Sequence, residues 1–154
     1  MEIGWPGWRD RLFKPALTLR PARNSELDQL CDFYESCMRP YSEEFDPWNP
    51  DLFRSRFKAD ETEVLQVGIR FAGLLKTQVY ETHVYLADVQ LKPEIRNRGV
   101  GTKLVKLTLE RASALDLPVQ LRVLRNNPAL TLYKRLGFRI IEEARTHFLF
   151  ESVP

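Results

Sequence analysis

The stretch DVQLKPEIRNRGVGTKL, residues 88–104, decides the fold. It begins as an apolar strand, passes through a basic turn and then takes up the apolar spacing of a helix. Within the turn, Arg96, Arg98, Gly99 and Gly101 form the pattern Arg-x-x-Gly-x-Gly. The stretch therefore predicts a strand–turn–helix unit, with the two glycines at the point where the helix begins.

This turn is suited to binding a phosphate group. Glycine has no Cβ, so successive backbone N–H groups can approach one set of oxygens, and the free N–H groups at a helix start carry partial positive charge. Arg96 and Arg98 add full charges and forked donors. Taken alone, the motif fits equally well an ordinary strand-to-helix turn with solvated arginines.

Two better-known phosphate loops are excluded by spacing. The dinucleotide fingerprint needs a third glycine where this chain has Leu104. The Walker loop needs a second glycine that is followed directly by lysine, and this Gly-Lys pair is also missing. A different kind of phosphate site is therefore indicated.

A second block of sequence decides between the alternatives. It consists of the strand-like run VQLRVL at 119–124, Asn127-Pro128-Ala129, Leu132-Tyr133 and Leu136-Gly137-Phe138. In order and spacing, the two blocks together resemble the GNAT superfamily of N-acetyltransferases over about residues 16–152. The resemblance implies that the glycine turn binds the pyrophosphate of acetyl-CoA and that the later block places an Asn and a Tyr near the thioester.

The order of predicted elements is consistent with that fold. Apolar periodicity predicts a strand, two helices, three strands, a helix, a strand, a helix and two final strands. The expected architecture is α/β, a mixed and largely antiparallel sheet with helices on both faces. We expect residues 1–15 to form an N-terminal extension and residues 16–154 a single acetyltransferase-like domain. The first helix is expected to be capped by Asn24 or Ser25 and to end at Pro40.

Composition narrows the function classes. The 154-residue chain has a net charge of +2 and a pI near 8.6, and contains no long Lys/Arg run, so nucleic acid is not an expected partner. Cys31 and Cys37 are expected to be reduced thiols. No stretch reaches the length of a membrane span and no leader pattern is visible, so we expect a cytoplasmic protein. The sequence predicts no metal site.

The resemblance implies a set of residues that bind acetyl-CoA. The strands that end at Leu91 and Leu124 are expected to splay apart, with the pantetheine arm between them on backbone groups near Val89 and Leu91. The pyrophosphate would lie on the turn and the first residues of the helix, and Asn127 would contact the cofactor or only cap its helix. The predicted turn residues are Arg96, Arg98, Gly99, Val100, Gly101 and Thr102.

Direct attack of an amine on the thioester needs a base, an oxyanion donor and an acid for the leaving sulfur. Tyr133 matches the family's Leu-Tyr position and is the expected acid, although it also fits a buried helical stripe. Asp88 is the first candidate for the base because burial in an apolar strand would raise its pKa. A structural carboxylate is the alternative for Asp88. Glu81 and His147 are weaker candidates.

The loop RPYSEEFDPWNP, residues 39–50, is a candidate acceptor site. Tyr41, Phe45 and Trp48, with the acids between them, would form an aromatic and acidic cup for a cationic amine. The alternative is that the aromatic residues anchor the loop to the core while the acids stay in water.

The sequence thus predicts an acetyl-CoA-dependent N-acetyltransferase acting on a primary amine of a small molecule or peptide. One alternative is a non-catalytic acyl-CoA sensor or interaction module with the same fold, and a domain that binds another nucleotide comes third. A homodimer is expected from the family resemblance alone.

Overall fold

The computed structural model describes residues 2–3 and 16–153. Eight strands in this part of the chain form one sheet, in the order β1-β2-β3-β4-β5-β6-β8-β7. The strands are β1 Glu2–Ile3, β2 Leu17–Pro21, β3 Thr62–Val67, β4 Arg70–Val79, β5 Val84–Leu91, β6 Val119–Leu124, β7 Arg139–Glu143 and β8 His147–Glu151. The helices are α1 Leu27–Ser42, α2 Leu52–Arg56, α3 Val100–Ser113 and α4 Ala129–Arg135.

Helices cover both faces of the sheet, which confirms the predicted architecture. The two neighbouring β3 residues Val64 and Leu65 are both fully buried but belong to different apolar clusters. Val64 packs with Leu30 of α1 and Phe53 of α2, whereas Leu65 packs with the cluster that contains Leu104 of α3. This alternation is the period of two that a strand imposes on its side chains.

The ends of α1 differ from the sequence prediction. A 3₁₀ turn, Asn24–Glu26, precedes the helix, and the Glu26 carboxylate accepts the backbone N–H of Arg23 at 2.9 Å. The predicted caps Asn24 and Ser25 therefore lie inside this turn. At the other end, Pro40 does not stop the helix, which continues to Ser42. Proline has no N–H, so Pro40 cannot donate to the Ser36 carbonyl four residues back, and the last turn of α1 forms with one hydrogen bond fewer.

The sheet changes direction once, between β5 and β6. All the other neighbouring strands are antiparallel, whereas β5 and β6 run parallel and pair only at Val84↔Val119 and Tyr85↔Gln120. Both strands continue beyond these two pairs, but they no longer pair with each other. They therefore diverge, as the sequence predicts. A cleft opens between them, and it exposes backbone groups that a sheet would otherwise pair.

A bulge lies beside this cleft. Lys76 of β4 is the register partner of Asp88, but the next β4 residue, Thr77, is the partner of Leu86. Ala87 is therefore the extra residue on β5. Bulges are frequent next to active sites because they redirect a side chain.

None of the helices in the described part of the chain is long and apolar enough to span a membrane. The predicted N-terminal extension lies outside the described residues except for Glu2–Ile3, which pairs with β2 through Glu2↔Thr18 and Ile3↔Leu17.

Candidate active site

The glycine turn after β5 leads directly into α3. Gly99 has a φ of 79°, in the left-handed region that favours glycine, and α3 begins at the next residue, Val100. The first N–H groups of a helix have no partner within that helix. The turn therefore presents donors at a helix start, as its sequence predicts.

Arg96 connects this turn to two other elements. Its Nε donates to the Leu91 carbonyl at 2.9 Å, and its Nη2 lies 3.5 Å from Cys37 Sγ of α1. The Leu91 carbonyl, which the sequence assigns to the pantetheine arm, is thus already engaged. Arg98 is exposed and Thr102 lies in the first turn of α3, where its Oγ1 accepts a long hydrogen bond from Arg135 of α4, at 3.4 Å.

Asn127 caps α4. Its Oδ1 accepts the Ala129 N–H at 2.9 Å, and Gly137, with a φ of 89°, follows the end of the helix. The capping alternative is therefore realised for Asn127, which leaves its Nδ2 for another partner. The preceding residue, Asn126, reaches across to the α1–α2 loop and donates to the Tyr41 carbonyl at 3.0 Å and to Glu44 Oε2 at 2.7 Å.

Asp88 lies on β5 at the bulge, on the same face of the sheet as its register partner Lys76. The residue as a whole is partly buried, and protein atoms surround its carboxyl group. The pKa of Asp88 is raised to about 7, chiefly by burial, and the charges of Lys76 and Arg56 and the Gln90 side chain oppose this rise. A carboxyl group with this pKa is half ionised near neutral pH and can exchange a proton there.

Tyr133 of α4 lies close to Asp88 but packs on the opposite face of the sheet, against the α3 cluster. Its ring contacts Phe138 and Phe150, with centroid distances of 5.8 and 6.2 Å, and its hydroxyl makes no hydrogen bond to any other described residue. Burial, and then the Asp88 charge, raise the pKa of Tyr133 to about 12. The phenol therefore stays protonated at neutral pH and can donate a hydrogen bond.

Two α1 side chains complete the surroundings of Asp88. Tyr34 stacks on Phe53 with centroids 4.5 Å apart, and its pKa is raised by burial and then by Asp88. Burial also raises the pKa of the Cys37 thiol, to which Asp88 contributes. Both cysteines, Cys31 and Cys37, are free thiols.

The α1–α2 loop closes one end of this region. Trp48 lies 5.9 Å from the Tyr34 ring, centroid to centroid, and its Nε1 is buried without a partner among the described residues, as is Asn126 Oδ1. The acids of the loop are already paired. Glu43 contacts Arg39 at 2.6 Å and Asp46 contacts Arg145 at 2.8 Å, in addition to the Glu44 contact with Asn126.

An open groove of about 490 Å³ runs along the outer side of this loop. Phe45 and Trp48 line it, but neither Asp88 nor Tyr133 does. The groove is therefore separate from the side chains of Asp88 and Tyr133.

The family is settled by comparison with known sequences. The model of the acetyltransferase (GNAT) family matches residues 25–138, which include every element of the cleft. The chain belongs to the GNAT family. Its glycine turn, Asp88 and Tyr133 all lie inside the matched region.

Curated GNAT relatives match a shorter segment. A thialysine N-epsilon-acetyltransferase from Sus scrofa is 42% identical over 66 residues, which are 40% of this chain and 38% of the relative. A histone acetyltransferase, MCC1, from Arabidopsis thaliana is 35% identical over 72 residues, 45% of this chain and 29% of the relative. The match thus spans about two fifths or less of the curated relatives.

Solved GNAT structures share the fold along nearly the whole chain. The PaiA N-acetyltransferase of Thermoplasma acidophilum, in complex with coenzyme A, matches with a TM-score of 0.73 and 13% identity, over 90% of this chain and 99% of that one. Arabidopsis thaliana Naa50, in complex with a bisubstrate analogue, matches with a TM-score of 0.69 and 20% identity, over 90% and 99%.

Some predicted site residues of this GNAT chain are not brought together. Glu81 lies in the exposed turn before β5, and Asp88 is the fifth residue of that strand, roughly 13 Å along it from Val84. His147 begins β8 beside Leu124, with its Nδ1 3.0 Å from the Thr146 hydroxyl. Among the candidate bases, only Asp88 is shown to interact with Tyr133.

Sequence reasoning missed several residues of the cleft. Tyr34 fits the apolar stripe of α1, a pattern that by itself indicates a core residue. Lys76 directly follows the apolar run at residues 71–75 of β4, which was an available signal, whereas Arg135 at the end of α4 is indistinguishable from a solvated cation.

Proposed function

We propose that this chain is an acetyl-CoA-dependent N-acetyltransferase that transfers an acetyl group to a primary amine of a small molecule or peptide. The observation that carries the proposal is the electrostatic interaction between Asp88 on β5 and Tyr133 on the helix after β6, the two strands that diverge to form the cleft. The glycine turn at the end of β5 supplies the anion site.

Acetyl-CoA fits the described residues. Its pyrophosphate would lie on the N–H groups of residues 98–102, with Arg98 and Arg135 as nearby cations. The pantetheine arm would pair with β5 backbone groups near Val89, since β6 no longer occupies that side. Arg96 would act mainly by fixing the turn to Leu91 and α1.

The proposed reaction begins with attack of the neutral amine nitrogen on the thioester carbonyl carbon. The new C–N bond forms as the Asp88 carboxylate takes an amine proton, directly or through water. The carbonyl oxygen becomes an oxyanion, which a backbone N–H of β5 at the cleft can stabilise. Collapse of this intermediate breaks the C–S bond and gives the amide and coenzyme A thiolate.

Tyr133 would assist the leaving sulfur. Because its pKa is about 12, the phenol stays protonated at neutral pH, but complete proton transfer to a thiolate would be uphill. We therefore assign it a hydrogen bond that strengthens as charge develops on sulfur, while solvent supplies the final proton.

The acceptor would enter from the α1–α2 side, past Tyr34 and Trp48. Because the loop acids are paired with Arg39, Arg145 and Asn126, an acidic cup receives less support than an aromatic wall.

The test is release of coenzyme A thiol from acetyl-CoA with three classes of amine. These are thialysine, a histone-tail peptide with a blocked N-terminus, and a MVNAL peptide with a free N-terminus. Each is chosen because the name of a relative or the bound analogue of a structural neighbour includes that type of amine. We expect one class to raise thiol release well above the rate without amine. Tight acetyl-CoA binding with no amine-dependent release would favour the non-catalytic sensor.

The remaining expectations stay predictions: a cytoplasmic location, a homodimer, no nucleic-acid partner, and one domain over residues 16–154 after an extension of residues 1–15.

A further inference from the structure

Lys76 is a buried cation in the middle of β4. Its residue is only 5% exposed, in a strand whose preceding residues Leu74 and Leu75 are fully buried. Lysine is almost never buried in this way unless its charge is compensated, because removal of an ammonium from water is costly. The proposed reaction does not yet use this residue.

Two contacts define the position of Lys76. Its Nζ donates to the backbone carbonyl of Arg56, the last residue of α2, at 2.8 Å. It is also the register partner of Asp88, immediately before the bulge. These two described residues form no direct ion pair. The Lys76 charge therefore acts on the Asp88 carboxyl at a longer range than that of a salt bridge.

Groups on α1, α2, α4, β4 and β5 interact with Asp88. Among these groups, Lys76 is the cation that favours the ionised carboxylate most, and Arg56 favours it less. The others are Tyr34 and Cys37 of α1, Gln90 of β5 and Tyr133 of α4. Neither tyrosine nor the thiol supplies a positive charge.

We propose that Lys76 is a positioning residue for Asp88: anchored to the end of α2, its ammonium favours the ionised carboxylate, which is the form that accepts a proton in the cleft. This inference rests on the proposed function, in which Asp88 is the base. Lys76 itself touches neither the amine nor the thioester.

The physical reason is the balance at Asp88. Burial favours the protonated carboxyl, which cannot accept a proton, and a cation opposes that effect. Removal of the Lys76 charge raises the Asp88 pKa further above about 7. We expect a rise of roughly 0.5 to 1 unit, because the two groups interact without direct contact. Turnover at pH 7 then falls by up to about fivefold and recovers near pH 9.

The primary test measures the Asp88 carboxyl directly, by ¹³C NMR titration of the protein without ligand. Lys76→Met removes charge and hydrogen bond together, Lys76→Gln removes only the charge, and Lys76→Arg keeps the charge. Lys58→Met is the matched control, since Lys58 is exposed and pairs with Glu61 at 3.6 Å, before β3. We expect a higher Asp88 pKa in the Met and Gln variants and the wild-type value in the Arg and Lys58 variants.

An unchanged Asp88 pKa in folded Lys76→Gln or Lys76→Met protein would overturn the inference. If the Met variant does not fold, the Gln variant decides, because it retains a donor for the Arg56 carbonyl. A purely structural role predicts activity loss at every pH, without recovery at pH 9.

Failure of the proposed function gives a different result. Asp88→Asn with wild-type turnover would remove the base role, whereas the NMR titration would still report whether Lys76 controls this carboxyl. A shifted pKa together with an inactive Asp88→Asn variant supports both statements.

Discussion

Asp88 and Tyr133 show how one environment prepares two groups for different tasks. Burial raises both pKa values, which brings the carboxyl to about 7 and takes the phenol to about 12. The first value permits proton uptake at neutral pH, and the second keeps the hydroxyl as a hydrogen-bond donor. In the proposed reaction, one cleft thus takes its base and its hydrogen-bond donor from side chains on opposite faces of the sheet.

Tyr133→Phe isolates the contribution of that donor. The ring contacts with Phe138 and Phe150 are kept while the hydroxyl is lost. We expect turnover to fall by about 10- to 100-fold, because the developing thiolate loses its hydrogen bond. Acetyl-CoA affinity should stay within about twofold. The measurement is thiol release under saturating amine, with the dissociation constant from calorimetry.

Tyr80→Phe is the matched control. Tyr80 lies in the β4–β5 turn, where its hydroxyl bonds Gln78 at 3.1 Å and has no part in the cleft. The Tyr80→Phe variant should show the turnover of the wild-type protein. Wild-type turnover in the Tyr133 variant as well would make that phenol a structural residue.

At the scale of elements, β5 organises the site. Its bulge places Asp88 beside the cleft, its unpaired edge leaves backbone groups open, and its end leads into the glycine turn. Gly73 of β4 is required for this arrangement, because a Cβ there would collide with the backbone oxygen of Gln90. In the proposed site, Asp88, the glycine turn and the unpaired backbone groups therefore all depend on β5.

Gly99→Ala tests the turn as an element. Alanine in the left-handed conformation costs about 1 kcal/mol, and relaxation of the turn would move the N–H groups at the start of α3. We expect modest destabilisation together with at least a tenfold loss of acetyl-CoA affinity, measured by urea unfolding and by calorimetry.

Gly68→Ala supplies the comparison for that variant. Gly68 also has a left-handed backbone, with φ 60°, in the β3–β4 turn, and a Cβ there would meet nothing within 4 Å. The same loss of stability is expected with unchanged acetyl-CoA affinity. Equal affinities in both glycine variants would refute the assignment of the turn as the pyrophosphate site.

Much of this fold was predictable because local patterns and global structure agree. Strand alternation, the Gly99 turn and the capped helix after Asn127 all leave local signals. The start of α1 was misassigned because Asn24 and Ser25 lie inside a 3₁₀ turn that precedes the helix. In this turn the Glu26 carboxylate accepts the Arg23 N–H. Residues that are distant in sequence but close in the fold left weaker signals. Lys76 acts on Asp88 from the neighbouring strand, and Tyr34 interacts with Asp88 from α1.

At the scale of the whole molecule, the cleft joins two faces of the sheet. The α3 and α4 face carries the glycine turn and Tyr133, whereas the α1 and α2 face carries Lys76, Tyr34 and the loop with Trp48. A cofactor on one face and an acceptor on the other would meet only between β5 and β6. Binding of the cofactor should therefore stabilise the chain as one unit.

Thermal unfolding with acetyl-CoA measures this coupling. At about 100 times its dissociation constant, a ligand that binds only the folded state adds about 2.7 kcal/mol, which for a domain of this size raises the melting temperature by roughly 5 to 10 °C. ATP and NADH share the phosphates but lack the pantetheine arm, so each should give a much smaller rise. A large rise with all three would mean that the phosphates dominate and that the open edge of β5 contributes little. No rise with millimolar acetyl-CoA would leave the fold intact and remove its assigned cofactor.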